Sequence, residues 1–340
     1  MPNRAFITGV SGPELAAAER EFIRAERPWG FILFKRNVDT PAQVARLVGE
    51  LRETLGDPEA PVLIDQEGGR VQRLGPPHWP VYPPGAVFGS LYDRDPSLGL
   101  KAARLSNRLI AADLAELGIS VDCLPLADVP VPGADNVIGN RAYGTEPAKV
   151  AAIARAVTDG LEQGGILPVL KHIPGHGRAT ADSHFRLPTV DTPRNELERT
   201  DFAAFVPLAD LPMAMTAHVV FSALDPAQPA TTSATIVEQV IRGCIGFQGL
   251  LMSDDVSMNA LAGSIAERTQ AIVAAGCDMV LHCNGKLDEM REVADQTPML
   301  SGKALERATR ALASRKQPVP FDRKAARAEL DALVGRAGVA

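Results

Sequence analysis

The chain has 340 residues, 46% hydrophobic but only 5% aromatic, with a formal net charge of −6. An acidic balance without a basic run argues against a nucleic-acid partner, which calls for a Lys/Arg stripe to neutralise phosphates. No run approaches the ~18 apolar residues of a membrane span, so no membrane association is expected.

Short apolar runs alternate with helical periods along the chain. Residues 5–10 (AFITGV) read as a strand and 13–27 as an Ala/Glu/Arg-rich helix with Pro13 near its first turn. A second strand covers 30–34. Thr40 is placed to cap a helix over 41–55, where Val44, Leu47, Val48 and Leu51 recur at helical spacing. The third strand, 61–64, runs into Asp65-Gln66-Glu67-Gly68-Gly69-Arg70. The Pro/Gly-rich stretch 75–89 is expected as a surface excursion without regular structure. A long helix follows over 97–117, then a less regular fourth strand at 121–126, a helix over 147–163 and a fifth strand at 167–170. Strands six to eight are expected at 213–220, 250–252 and 279–282. Helices over 233–241, 266–274 and 303–314 accompany them, and the charged, alanine-rich tail from Phe321 reads as a final helix packed outside.

Strands separated by helical segments imply parallel pairing through crossover helices, and near-continuous apolar strands imply burial on both faces. The fold class is therefore α/β, a single (β/α)8 TIM-type barrel with an extra C-terminal helix, with 1–340 forming one catalytic domain. An open doubly wound sheet is disfavoured because the first strand-to-helix turn, Gly9-Val10-Ser11-Gly12, has no GxGxxG. Polar residues collect where strands end: Asp65, Lys171, His172, His218, Asp254 and Asn284. Barrel enzymes place their active sites on that face. The N-terminal MPNRAFITGVSG lacks the apolar core of a signal peptide. Four scattered cysteines without C-x-x-C spacing read as reduced thiols. Both features lead to an expectation of cytoplasmic residence.

The segment KHIPGHGRATADSH, residues 171–184, carries three of the six histidines beside a lysine and an aspartate. In Asp182-Ser183-His184 the i, i+2 spacing lets the carboxylate hold one imidazole nitrogen while the other faces substrate as an acid/base group. His172, His176 and His184 are of a residue type that can ligate zinc. An HxxxH pair needs a helix, which Pro174, Gly175 and Gly177 forbid, so no metal is expected. His176 is expected to hydrogen-bond the loop backbone. Ser253-Asp254-Asp255 offers a carboxylate nucleophile at a strand mouth, with helix capping as the rival role for one aspartate. Strand parity alone does not say which of the two points inward. No Gly-rich phosphate cradle occurs, so no nucleotide cofactor is expected.

Lys-His-x-Pro-Gly-His-Gly with Asp-Ser-His, upstream Ile-Asp-Gln-Glu-Gly-Gly-Arg-Val-Gln-Arg and downstream Ser-Asp-Asp resemble the bacterial β-N-acetylhexosaminidases of glycoside hydrolase family three. The resemblance runs from the Phe31-Ile-Leu-Phe-Lys-Arg-Asn segment to the Gly276-Cys-Asp-Met-Val-Leu segment. It implies a (β/α)8 barrel that removes terminal β-linked N-acetylglucosamine with retention, through a covalent glycosyl-enzyme intermediate. It assigns Asp254 as nucleophile and His184 as acid/base tuned by Asp182. The sugar would be held by Asp65, Arg73, Arg141, Lys171 and His172. The implied substrate is N-acetylglucosamine joined to 1,6-anhydro-N-acetylmuramic acid, with or without peptide, in peptidoglycan recycling by a monomer that uses no cofactor. Two positions depart from the family pattern, Ile173 (usually Phe) and Arg178 (commonly acidic). Arg178 is expected to affect loop closure or the preference for an anionic aglycone, and Gly175 and Gly177 to let the loop move. Phosphorolysis of an N-acetylglucosaminide and a non-catalytic sugar-binding barrel are the rival functions.

Overall fold

The structure is a computed structural model that describes residues 3–179, 181–183 and 186–336. Eight parallel strands close into a barrel in chain order: β1 (Arg4–Thr8), β2 (Pro28–Leu33), β3 (Val62–Ile64), β4 (Val121–Asp122), β5 (Leu167–Ile173), β6 (Met213–Thr216), β7 (Leu250–Asp255) and β8 (Met279–His282), which pairs back with β1. The expected fold is the one observed. Helices α1 (Ala17–Glu26), α2 (Pro41–Leu55), α3 (Gly85–Arg94), α4 (Pro96–Glu116), α5 (Pro147–Gln163), α6 (Arg194–Arg199), α7 (Ile265–Ala275), α8 (Leu287–Gln296), α9 (Gly302–Ala313) and α10 (Arg323–Arg336) lie around it. A further helix, Ile236–Cys244, has the wide turns of a π-helix, and Ile245 N–H reaches back to Val240 O. Among the described residues no helix is long and apolar enough to cross a membrane.

Successive strand residues point to opposite faces, which gives the barrel two apolar layers. Ile7, Ile32, Leu63, Leu167, Val169, Met213, Leu250, Met252 and Leu281 fill the interior. Their neighbours Phe6, Phe31, Val62, Leu170, Ala214, Leu251 and Val280 face the helices. Burying one such Leu, Val or Ile stabilises by about 1.5–3 kcal/mol. The interior rows also fix the site, because two residues further on each row points into the barrel mouth. Ile32 is followed in this way by Phe34, Leu63 by Asp65, Val169 by Lys171 and Leu281 by Cys283, whereas in β7 the register against β8 slips between Met252 and Asp255 and both Asp254 and Asp255 line the mouth.

Several expected boundaries move, each for a local reason. α1 starts at Ala17 rather than 13 because the carboxylate of Glu19 accepts from Ser11 N (2.7 Å) and Ala16 N (2.8 Å), while Gln43 Nε2 donates to Pro13 O (2.6 Å). Thr40 caps α2 as expected, its hydroxyl accepting from Gln43 N at 3.3 Å. The stretch 75–89 is not an irregular surface excursion: α3 begins at Gly85, Trp79 and Tyr82 are buried, and Tyr82 donates to Asp113 of α4 at 2.6 Å. α10 packs on that layer, where Arg323 pairs with Asp113 and Glu116. β6 ends at Thr216, and Val220–Phe221 instead pairs with Thr189–Val190 in a separate ribbon. β5 and β7 run further than expected, so Lys171, His172 and Asp254 lie within strands rather than after them.

Candidate active site

The C-terminal mouth of the barrel opens into a cavity of about 720 Å³ including its entrance, lined by Phe34, Asp65, Arg73, Arg141, Lys171, His172, His176, Ser183, Asp254 and Asp255, among others. Every sugar-holding candidate and the candidate nucleophile are brought together here.

A chain of alternating charges forms one wall. Lys171 Nζ, on a side chain only 2% exposed, donates to Asp65 Oδ1 at 2.8 Å and Glu67 Oε1 at 2.6 Å. Arg73 Nη2 reaches Asp65 Oδ2 at 3.0 Å. Arg141 grips Glu67 with two bonds, Nε to Oε2 at 2.8 Å and Nη2 to Oε1 at 2.7 Å. Burial alone would push both carboxylates up. The cations of Lys171 and Arg73 outweigh it at Asp65, which falls well below the usual carboxylate range, and Arg141 with Lys171 brings Glu67 down to about 2. Burial opposes the charge on Lys171, yet Asp65 and Glu67 raise its pKa above the ordinary lysine range. Asp65, Glu67 and Lys171 are thus ionised at neutral pH, and such hydrogen bonds are worth roughly 1.5–3 kcal/mol each. Phe34 flanks this wall with the guanidinium carbons of Arg36 and Arg73 at 5.0 Å and 5.1 Å from its ring centre. Glu67 was missed in the sequence reading. Its i, i+2 relation to Asp65 was the available signal, since residues so spaced share a side of an extended segment.

The histidines form a second wall around Asp128, also missed. His172 Nδ1 lies 2.7 Å from Asp128 Oδ2, and His176 N–H donates to Asp128 Oδ1 at 2.7 Å. Burial would raise the Asp128 pKa, but His172 and then His176 reverse that and lower it. The register of β5 against β6 slips between Lys171 and Ile173. Such a bulge re-aims a side chain, and both Lys171 and His172 line the cavity. The Lys171–His172 peptide is cis. Among the described residues the His176 ring also reaches a side chain: its Nε2 lies 3.1 Å from Ser183 Oγ. Asp182 is half-buried. His184 lies outside the described residues.

Asp254 Oδ1 accepts from Asp255 N at 2.8 Å. Asp255 takes the turn-forming role: it accepts from Ser257 N (3.0 Å), Ser257 Oγ (2.7 Å) and Cys283 N (3.1 Å), tying β7 to β8. His218 is buried, with Nε2 donating to Asp255 O at 3.0 Å and Nδ1 2.7 Å from the Thr231 hydroxyl. Asn284 turns away to Glu289.

Two expectations about the 173–184 segment change. Gly177 serves close packing, because a Cβ there would lie 2.1 Å from Val129 O. Gly177→Ala is therefore expected to lower unfolding stability by about 1–3 kcal/mol through overpacking. A denaturation midpoint matching the parent would contradict that. Arg178 is occupied: Nε donates to Asp201 Oδ2 at 2.6 Å, and Nη2 bonds Thr200 Oγ1 and Glu196 Oε1, each at 3.1 Å. It ties the loop to α6 and the chain just after it.

Residues 7–314 match the family model described as the glycosyl hydrolase family 3 N-terminal domain. The beta-hexosaminidase of Bordetella avium (strain 197N) is 36% identical over 304 residues, covering 88% of this chain and 86% of that protein. The beta-hexosaminidase of Alkalilimnicola ehrlichii is 39% identical over 280 residues, 81% and 79% of the respective chains. Among solved structures, native NagZ from Neisseria gonorrhoeae superposes with a TM-score of 0.87 at 31% identity, covering 98% of both chains. The same protein in complex with N-trifluoroacetyl-D-glucosamine gives 0.84 at 31% identity, covering 99% of this chain and 98% of that one.

Proposed function

Because the chain belongs to glycosyl hydrolase family 3 and is a glycoside hydrolase, we propose that it is a retaining exo-β-N-acetylglucosaminidase whose nucleophile is Asp254. The observation that carries this reading is the placement of Asp254, near the end of β7, on the cavity walled by Asp65, Lys171 and Arg73, while the carboxylate of Asp255 beside it is tied to Ser257 and Cys283. The solved relative that holds an N-acetylglucosamine analogue supports the choice of sugar.

In the first step an Asp254 oxygen attacks the anomeric carbon and the glycosidic C–O bond breaks. His184 gives a proton to the departing oxygen, and Asp182 sets its tautomer and raises its basicity. In the second step water attacks the anomeric carbon from the vacated face, His184 takes its proton, and the bond to Asp254 breaks. Two displacements return the β-anomer. Asp65 accepts from sugar hydroxyls, while Arg73, Arg141, Lys171 and His172 orient the ring and its acetamide. Lys171 and Arg141 already bond Glu67 and Asp65, so they meet the sugar as a preset array and lose little freedom on binding.

The leaving group in this reading is 1,6-anhydro-N-acetylmuramic acid with or without peptide, released in peptidoglycan recycling in the cytoplasm. The enzyme acts as a monomer of one catalytic domain, 1–340, without metal or cofactor. Proton NMR of the first turnover of an aryl N-acetyl-β-glucosaminide should show β-N-acetylglucosamine at a rate indifferent to phosphate. N-acetylglucosamine 1-phosphate as product would establish phosphorolysis instead, and no cleavage would overturn the reading.

A further inference from the structure

His176 is a buried titratable group of the cavity to which this mechanism assigns no task. Its side chain is 3% exposed, and among the described residues its Nδ1 has no hydrogen-bond partner. Burial first, and repulsion from His172 second, pull its pKa down to about 4. The ring is therefore neutral at ordinary pH and carries one N–H. Its Nε2 lies 3.1 Å from Ser183 Oγ, within hydrogen-bond distance.

Both ends of that bond are anchored. The His176 backbone N–H is held by Asp128 Oδ1 at 2.7 Å, and the other oxygen of Asp128 holds His172. The carbonyl of Ser183 accepts from Ala260 N at 3.2 Å, on the segment that follows β7. Ser183 is thus gripped through its side chain by the loop after β5 and through its backbone by the loop after the nucleophile strand. In sequence it separates Asp182 from His184, the two groups proposed to move the proton.

We propose that His176 and Ser183 are positioning residues for proton transfer, their hydrogen bond fixing the chain between Asp182 and His184 against β5 and the Asp128 hub. The inference rests on the acid/base assignment above. A 1 Å misplacement of a reacting group costs on the order of 100-fold. Loss of this bond should therefore fall on substrates whose departing oxygen needs a proton. A leaving group that departs unaided depends on Asp254 alone during glycosylation.

The test compares kcat/KM, which reports glycosylation, for 2,4-dinitrophenyl and methyl N-acetyl-β-glucosaminides. Ser183→Ala and His176→Phe should lower the methyl value by about 10- to 100-fold and the dinitrophenyl value by less than about 3-fold. His176→Gln, whose amide can donate near the Nε2 position, should recover most of the methyl activity. Ser183→Ala removes a single hydroxyl and serves should the ring replacement fail to fold. Equal losses on both substrates, an unaffected Ser183→Ala enzyme, or a His176→Gln enzyme no better than His176→Phe would overturn the positioning role. A wild-type protein that cleaves neither substrate would overturn the glycosidase reading beneath it instead.

Discussion

Replacing Asp254 with alanine is expected to lower kcat for an aryl N-acetyl-β-glucosaminide by at least about 10⁴-fold, roughly 5.5 kcal/mol of transition-state stabilisation. The carboxylate is the group that bonds to the anomeric carbon in the proposed mechanism, and no neighbour can take its place. Asp255 is adjacent, but its two oxygens are committed to Ser257 and to Cys283 N, and its backbone oxygen to His218. Asp255→Ala should chiefly loosen the β7–β8 junction and lower stability. Added azide separates the two variants. In Asp254→Ala the small anion can occupy the vacated face and attack the anomeric carbon once, which yields the α-glycosyl azide. In Asp255→Ala the nucleophile is still present and azide should do nothing. Wild-type rates in Asp254→Ala, or an azide adduct formed only in Asp255→Ala, would remove Asp254 from the role.

The barrel was legible because its physics is local. Apolar runs of strand length alternate with helical periods, and each strand end carries its polar residue one or two positions on. The choice between Asp254 and Asp255 was not legible, because it is not a matter of parity: the register of β7 against β8 slips between Met252 and Asp255, and both aspartates line the cavity. What distinguishes them is that the Asp255 carboxylate is taken up by Ser257 and Cys283 N. Glu67 and Asp128 escaped for another reason: neither the motif around Glu67 nor the loop around Asp128 shows which group each carboxylate meets. Their partners Arg141 and His172 lie 74 and 44 residues away in sequence, and only barrel closure brings them within hydrogen-bond distance. The stretch 75–89 was misread because its proline and glycine content describes the chain without what covers it. The burial of Tyr82 depends on α4 and α10, which come later in the chain.

Lys171→Met is expected to give the largest loss of stability, about 3–5 kcal/mol at neutral pH, because it breaks a buried ion network by removing one partner. Methionine fills much of the same volume, so packing is nearly conserved and the effect is electrostatic. Asp65 keeps Arg73 and Glu67 keeps Arg141, but the cation between them is gone. The pH dependence follows from the directions of the shifts. In the parent, Asp65 and Glu67 have depressed pKa values, so their contribution is complete above the ordinary carboxylate range near 4 and fades as pH falls toward about 2. The raised pKa of Lys171 contributes fully below the ordinary lysine value and is lost only as pH climbs through the raised one. In the variant the carboxylates no longer face Lys171 and their pKa values rise. The unfolding midpoints of parent and variant, measured in urea at pH 7.5, 5.5 and 4, should therefore converge with acidity. A gap that stays constant would show that the loss is one of packing. Glu67→Gln separates the terms once more: in the parent it should destabilise by stranding Lys171 and Arg141, whereas in the Lys171→Met background only Arg141 loses its partner and the cost should be smaller. Such non-additivity is what residues sharing one network show, and equal costs in both backgrounds would mean that Lys171 and Glu67 act independently.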